Sequence, residues 1–435
     1  MEKLNTIKLN KIKNILDKYY QIIFFILLFY GLSISIFLKE LNLIFFQYID
    51  FNILVIYRIL IIISSILFLF FMKKKRNLFL LLFTLLHFLF FYNSIFGTEI
   101  KFNINFITFY KSISVIITKI DHALADKNKL LIINLFNILL PLIILSFCKN
   151  INFSINQFKF ISLRLCNFFL YFILFYLLFK YSFSNINSYP LINFIKINYL
   201  YFLNINHEFV NIHSMIYILN IHVLLILDSF QDLKIKENKK NLINLILILI
   251  CFLFSTTTIH LAISLVSAVV YFIYFGFKKK YLYLFIFCSI FLFLISFTEF
   301  LYFDLNNNTL NYLHSGTGLN AIYIRIMNIY FFLFYPINFN LFIGNNIFID
   351  NIYTYPHNMF IDILICTGLV GFIIFLIVIV HLFKEIKKNL SKNNFFILMI
   401  FFQSFLFANL SGFLFSNIVF NSALALSMLI FQKNT

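Results

Sequence analysis

Charge is what this sequence has least of. Only 11% of its 435 residues are Asp, Glu, Lys or Arg, against about a quarter in soluble chains, so it cannot cover a water-exposed surface. Polar tracts are missing too, and 62% of the residues are hydrophobic, which excludes an intrinsically disordered chain. Glycine (nine) and proline (four) are scarce, so the apolar segments are expected to be mostly continuous helices. The two halves show no matched Gly/Pro-broken segments of the kind transporters place at their midplane sites. The five cysteines (Cys148, Cys166, Cys251, Cys288, Cys366) lie within or at the edge of apolar segments with no CxxC pair, which argues against a disulfide framework or a thiolate metal site. Neither DxD nor HExxH occurs, and no cofactor is expected. Residues 316–321 match GxGxxA, but no strand precedes them, so they are not a dinucleotide site.

What is present reads as an all-α, polytopic membrane helical bundle, a single integral membrane domain over 1–435. Apolar spans are read at 19–38, 53–72, 77–95, 129–147, 163–182, 209–227, 242–258, 259–277, 281–300, 359–380, 395–412 and 416–431. Each approaches the ~20 residues a helix needs to cross a bilayer, which makes twelve. The abundance of Phe, Ile, Asn, Lys and Tyr resembles the output of an AT-rich genome, so aromatic content alone says little about function.

The net charge of +18 would suggest nucleic acid in a soluble protein. Here Lys and Arg sit in short clusters between spans. With the N-terminus inside, most of the 34 Lys and Arg fall in inside segments, in line with the positive-inside rule. Both termini are expected in the cytoplasm, no cleavable signal pattern opens the chain, and no nucleic acid is expected as a partner. Residues 103–118 and 319–334 are also apolar but carry Lys111 and Arg325. A charge at the bilayer centre costs about 2.5–3.5 kcal/mol, so both are read as helices lying on or dipping into the outer face. The consequence is one long outer segment, 301–358, between spans nine and ten, and loops of that length are usually functional.

Chemistry is sought among nine histidines. His122, His207, His260, His314 and His357 fall at or near the outer face, His213 about one turn deeper, and His87, His222 and His381 elsewhere. A lone membrane histidine is commonly a helix-to-helix hydrogen-bonding group. His357 differs in its setting, Thr354-Tyr355-Pro356-His357-Asn358, followed after nine residues by Gly368 and Gly371. Pro favours a helix start, which places His357 at the positive end of span ten, where a neutral imidazole suits a general base. The two glycines share one helix face and form a notch for a neighbouring helix. Asn358 either caps that helix or orients His357.

The spacing His-Asn-x9-Gly-x-x-Gly resembles the signature of the bacterial O-antigen ligase and O-antigen polymerase superfamily. The block upstream is similar as well. Arg325 is followed by an apolar aromatic helix, then Tyr335-Pro336-Ile337-Asn338 and Leu341-Phe342-Ile343-Gly344. The resemblance covers residues 315–371, and the twelve-span layout extends it. It implies a metal-independent, inverting membrane glycosyltransferase at the periplasmic face of the bacterial inner membrane. The donor would be an undecaprenyl-diphosphate-linked glycan, and the acceptor lipid A-core for a ligase or a second lipid-linked repeat for a polymerase. A chain-length regulator would be a possible partner. His357 would take the acceptor's proton, and Arg325 would hold the departing diphosphate. One departure concerns span eight, where relatives often open with Ser-Arg and this chain has Ser255-Thr256-Thr257-Thr258-Ile259-His260. His260 and Arg58 are the candidates to replace that cation, His314 is a further candidate for substrate contact, as is Asn358, and Glu208 is an outer-face residue without an assigned role. A lipid-glycan transporter is the competing class, and a structural protein without a site is the third. A snorkelling Arg325 at a lipid interface is the bland reading of that residue.

Overall fold

The computed structural model describes residues 17–35, 38, 53–71, 75–103, 125–148, 153–182, 209–230, 235–254, 258–275, 318–349, 352–353, 358–410 and 413–432. Helices α1 (Asp17–Ser35), α2 (Ile53–Phe71) and α3 (Leu78–Phe96) come first. Then follow α4 (Lys127–Ile133), a π-helical stretch (Asn134–Leu139), α5 (Leu140–Ser146), α6 (Ile155–Ser182), α7 (Phe209–Ser229), α8 (Ile235–Phe254) and α9 (Thr258–Phe275). After these come α10 (Gly318–Phe334), α11 (Met359–Asn389), α12 (Phe395–Leu410), a 3-10 turn (Leu414–Ser416) and α13 (Ile418–Phe431). The bundle is helical as expected, with one small addition, a three-stranded sheet of two-residue strands. Ala125–Asp126 (β1), Phe348–Ile349 (β2) and Ile352–Tyr353 (β3) run in the order β1-β3-β2. The ninth span (281–300), residues 104–118, and His122, His207, Glu208, His314 and His357 lie outside the described residues.

Four described helices are long and apolar enough to cross a membrane: Asp17–Ser35, Leu78–Phe96, Ile155–Phe175 within α6, and Met359–Asn389. Shorter apolar helices occupy the other described segments read as spans. Apolar side chains cover both faces of these helices, as in a membrane-embedded element. Phe24, Phe25, Phe29, Phe68, Phe83 and Phe90 fill the interior, whereas Ile59, Ile63, Ile66 and Phe70 of α2 and Ile373, Ile377 and Val380 of α11 face outwards. Cys148, Cys166, Cys251 and Cys366 are buried thiols.

Helix ends are set by asparagine. Asn77 accepts the Leu80 N–H at 3.2 Å, Asn417 that of Phe420 at 3.0 Å, and Asn358 those of Phe360 and Ile361, the usual way to satisfy orphan N-terminal donors. The π-helical stretch has an identifiable cause. Pro141 has no N–H to give the Asn137 carbonyl, and just before it the Leu140 N–H reaches five residues back to the Leu135 carbonyl.

α11 packs antiparallel along α3. The Phe79 ring stacks on His381 at 3.3 Å, Phe83 meets Phe375 at 6.5 Å, and Asn93 donates to the Cys366 carbonyl at 2.8 Å. One end of the bundle is therefore basic. Lys75 and Arg76 precede α3 there, and Lys384, Lys387 and Lys388 close α11. Beside α12 at that end, Lys159 lies over the Phe396 ring and pairs with Asp228 at 2.7 Å. The C-terminus of α13 joins the same end through Gln432, which bonds Asn77 at 2.5 Å and His381 at 2.7 Å.

The expectation of a continuous tenth span fails at Gly368. Its φ of 63° and ψ of −166° belong to a region essentially open only to glycine. α11 is thus two helices, nine residues before the break and Leu369–Asn389 after it, the latter about 31 Å long and still able to span. The glycine notch also differs from expectation. α3 does approach at Gly371, where Leu86 is a neighbour, but at Gly368 the neighbour is the backbone of Phe342 and Gly344. Gly368→Ala should therefore cost about 1–3 kcal/mol in backbone strain alone, read as a lower thermal midpoint of the detergent-purified protein. Val370→Ala, at an exposed site two residues on, should leave the midpoint nearly unchanged. A Gly368→Ala midpoint equal to wild type would show that the break is not required.

Candidate functional site

At the end away from the basic residues, three non-adjacent segments are tied together. The chain leaving α3 pairs with the chain leaving α10. Ile100 N–H donates to the Asn346 carbonyl, Asn346 N–H to Thr98, Asn103 N–H to Tyr335 and Ile337 N–H to Lys101, all at 2.8–2.9 Å. Asn338 adds two side-chain bonds, accepting from the Lys101 N–H at 2.7 Å and donating to the Glu99 carbonyl at 2.8 Å. Phe102 lies on Phe331 at 4.5 Å and edge-on to Phe332. Both phenylalanines are buried, so this contact seats the C-terminal half of α10. β1 pairs with β3 (Ala125↔Tyr353) and β3 with β2 (Phe348↔Tyr353), leaving the chain four residues short of His357.

The stretch 340–346 then locks into the break of α11. Leu369 and Val370, whose N–H groups would be orphaned by the break, donate to the Leu341 and Phe342 carbonyls at 2.8 and 3.1 Å. Asn345 N–H takes the Ile365 carbonyl at 2.8 Å. Asn93, from α3, donates its amide to both the Ile343 and the Cys366 carbonyls. Gly344 (φ 82°) and Gly368 (φ 63°) face each other, and a Cβ on either would collide with backbone of the other segment. The match between the 335–344 block and the Gly368 motif is thus a physical contact, closed on every side by hydrogen bonds.

The site residues read from sequence are distributed as follows. Asn358 is the N-cap of α11, its oxygen bound by Phe360 N–H at 3.1 Å and Ile361 N–H at 3.2 Å. Arg325 belongs to α10, six residues before the anchoring Phe331; its side chain, like His357 and His314, is outside the described residues. His260 opens α9 fully buried, its Nδ1 bonded to the Asn220 amide at 2.6 Å and its ring lying near Phe252 and Phe407. Arg58 lies on α2, half-buried, and makes no ion pair among the described residues. Asn358 therefore sits at the start of the broken helix with Arg325's helix tied to the same loop, while His260 and Arg58 lie on other helices.

Several polar residues were passed over by sequence reasoning. Asn93 looks like one more asparagine in an Asn-rich chain, and only its two carbonyl partners mark it out. His87, at the centre of α3, is the hub of a buried cluster. Its Nε2 faces the Asn421 oxygen and its Nδ1 the Asn134 amide nitrogen, both at 3.0 Å, so the ring donates at Nε2 and accepts at Nδ1. Asn134 and Asn421 also donate to the Phe415 and Leu414 carbonyls, holding the turn before α13. Asp362, in the first turn of α11, is buried at 1% exposure beside the Leu414 backbone. His222, bonded to Asn167 at 2.9 Å, joins His87, His260 and His381 as helix-to-helix hydrogen-bonding groups. Among the described residues no three His, Cys, Asp or Glu side chains come together as a metal set.

No protein-family model matches the sequence, and neither a curated protein nor a solved structure does.

Asn93→Leu should strand the buried Cys366 carbonyl and free that of Ile343, a loss of about 1–3 kcal/mol, and amide exchange at Gly344–Asn346 should rise with it. Unchanged exchange there would mean that Asn93 does not hold the loop. Asn358→Ser should keep the cap and the stability, whereas Asn358→Ala should lose about 1 kcal/mol. Equal melting of the two variants would remove capping as this residue's role.

Proposed function

We propose that the chain is a membrane glycosyltransferase of the O-antigen ligase and polymerase type. It transfers a glycan from undecaprenyl diphosphate to a sugar hydroxyl at the face of the membrane away from the basic clusters. The observation that carries this reading is the docking of 340–346 into the Gly368 break. The two sequence blocks that resemble the superfamily, one following Arg325 and one following His357, are joined there into one unit at the end of the bundle.

In this mechanism the acceptor hydroxyl attacks the anomeric carbon. The new carbon–oxygen bond forms as the bond to the diphosphate breaks, and the configuration inverts. The hydroxyl proton goes to the His357 imidazole acting as general base. The negative charge arriving on the leaving diphosphate is held by the Arg325 guanidinium through paired hydrogen bonds. Asn358 fixes the helix start next to His357, and Arg58, His260 and His314 are candidates for further contact with the lipid-linked substrate. A ligase would use lipid A-core as acceptor; a polymerase, the alternative, a second lipid-linked repeat. The setting is the bacterial inner membrane with both termini cytoplasmic.

A lipid-glycan transporter is the second reading, and the broken α11 favours it, since half-helices line midplane sites in transporters. The half-helix ends here are occupied by protein. The Leu369 and Val370 amides and the Ile365 and Cys366 carbonyls are already bonded to the 341–345 loop and Asn93, which favours a structural break.

The test is surface-glycan profiling of a strain lacking the gene, complemented at matched protein levels. Wild type should restore capped or long glycans, and His357→Ala and Arg325→Ala should not. Arg325→Lys should recover little, because an ammonium cannot make the paired contact. Accumulated full-length lipid-linked chains would indicate a ligase, and single repeats a polymerase. Full complementation by His357→Ala would remove the general-base role and move transport to the front.

A further inference from the structure

We propose that the tip Leu341–Phe342–Ile343 is embedded among lipid acyl chains, in the leaflet at the end of the bundle opposite the basic residues. This rests on the membrane character of the bundle and not on the transferase reading.

Three observations carry it. The first is depth. α3, 19 residues long, extends about 28 Å, close to the ~30 Å hydrocarbon thickness, so its end at Phe96 marks the boundary of the apolar layer. The Ile343 carbonyl is bound by Asn93, three residues or about 4.5 Å inside that end. The Phe342 carbonyl is bound by Val370 N–H, beside the Gly371 that faces Leu86. The tip thus descends along α3 and α11 below the level at which α3 stops.

The second observation is the state of its backbone. Phe342 and Ile343 N–H groups both go to the Asn340 side-chain oxygen, at 3.2 and 3.3 Å. The carbonyls of Leu341, Phe342 and Ile343 are taken by Leu369, Val370 and Asn93. A loop in water has no need of such closure, but non-helical backbone at membrane depth is tolerated only when its polar groups are satisfied by protein.

The third is the side chains. Leu341, Phe342 and Ile343 are 44%, 69% and 48% exposed, in the range of outward-facing Phe70 on α2 and Phe96 on α3. The residues that bond the tip, Asn93 and Val370, lie on helix stretches whose outward-facing side chains are apolar, Tyr92, Ile95 and Phe96 on α3 and Val370 and Ile373 on α11, so the tip is docked on lipid-facing apolar surface. Acyl chains, which already cover that surface, are the occupant this docking selects.

The chain contains no tryptophan, so Phe342→Trp supplies one indole at the tip. Ile337→Trp supplies an aqueous reference. Ile337 is 61% exposed and bonded to Lys101, beyond the end of α3. Each full-length variant is reconstituted into phosphatidylcholine vesicles, with and without acyl chains brominated near their middle. Brominated lipid should quench Phe342→Trp severalfold more than aqueous iodide does, and the order should reverse for Ile337→Trp. Leu341→Trp provides the same reading should Phe342→Trp not assemble. Iodide quenching of the tip equal to that of Ile337→Trp would place it in water. Quenching by neither agent would place it under protein, such as a second copy of the chain. Either result overturns the proposal.

Discussion

Every backbone polar group that leaves helical geometry inside an apolar layer must find a partner in the protein, because lipid offers none. At Gly368 this constraint shapes the whole end of the bundle. A single residue with positive φ interrupts α11, and the two half-helices present donors and acceptors that would each cost several kcal/mol if left bare. The 340–346 segment enters the break because its carbonyls and amides complement those ends. It can come close enough only because Gly344 and Gly368 carry no Cβ. Asn93 then ties α3 to both sides of the closure. Removing any one of these contributions would leave the others facing empty partners.

The same economy recurs deeper in the bundle. His87 bonds the Asn134 and Asn421 amides on either side of its ring, and both amides also donate to carbonyls of the turn before α13. Asn167, His222, Asn244 and Tyr171 form a second linked set between α6, α7 and α8. In an apolar solvent, packing of phenylalanines alone does not select one helix arrangement over another, since lipid tails are as apolar as the side chains they replace. Directional amide and imidazole contacts supply that selection. An Asn-rich composition is therefore put to use at helix starts, at the loop closure and at helix crossings.

Functionally, the closure joins what the chain separates. The segment that follows α10 and the break in α11 lie well apart in the chain, yet they meet through Leu341–Leu369 and Phe342–Val370 backbone bonds. The strands Phe348–Ile349, Ile352–Tyr353 and Ala125–Asp126 pair at that end as well. For the transferase proposed above, such a closed end would bring the element that carries Arg325 and the start of α11 to one common loop.

Much of the architecture was legible in the sequence. Apolar runs bounded by Lys clusters marked the described helices, since a helix that must cross a bilayer needs a run of fixed length, and Arg325 in an apolar stretch marked α10 as an element apart. Asn358 just before the apolar run from Met359 signalled a helix start, because capping is a local interaction within four residues, although the helix begins after Pro356 rather than with it. What the sequence could not reveal was the break at Gly368. A glycine inside an apolar run is compatible with a close helix contact or with a left-handed kink, and the choice depends on whether a loop 25 residues earlier can satisfy the freed groups. Nor could it distinguish Asn93 from the other asparagines of the chain, or name the partners of the helix-to-helix hydrogen bonds expected of histidines such as His87 and His260. Composition and spacing determine local conformation and burial; the pairing of distant polar groups is decided only when the packed helices bring them within hydrogen-bonding distance.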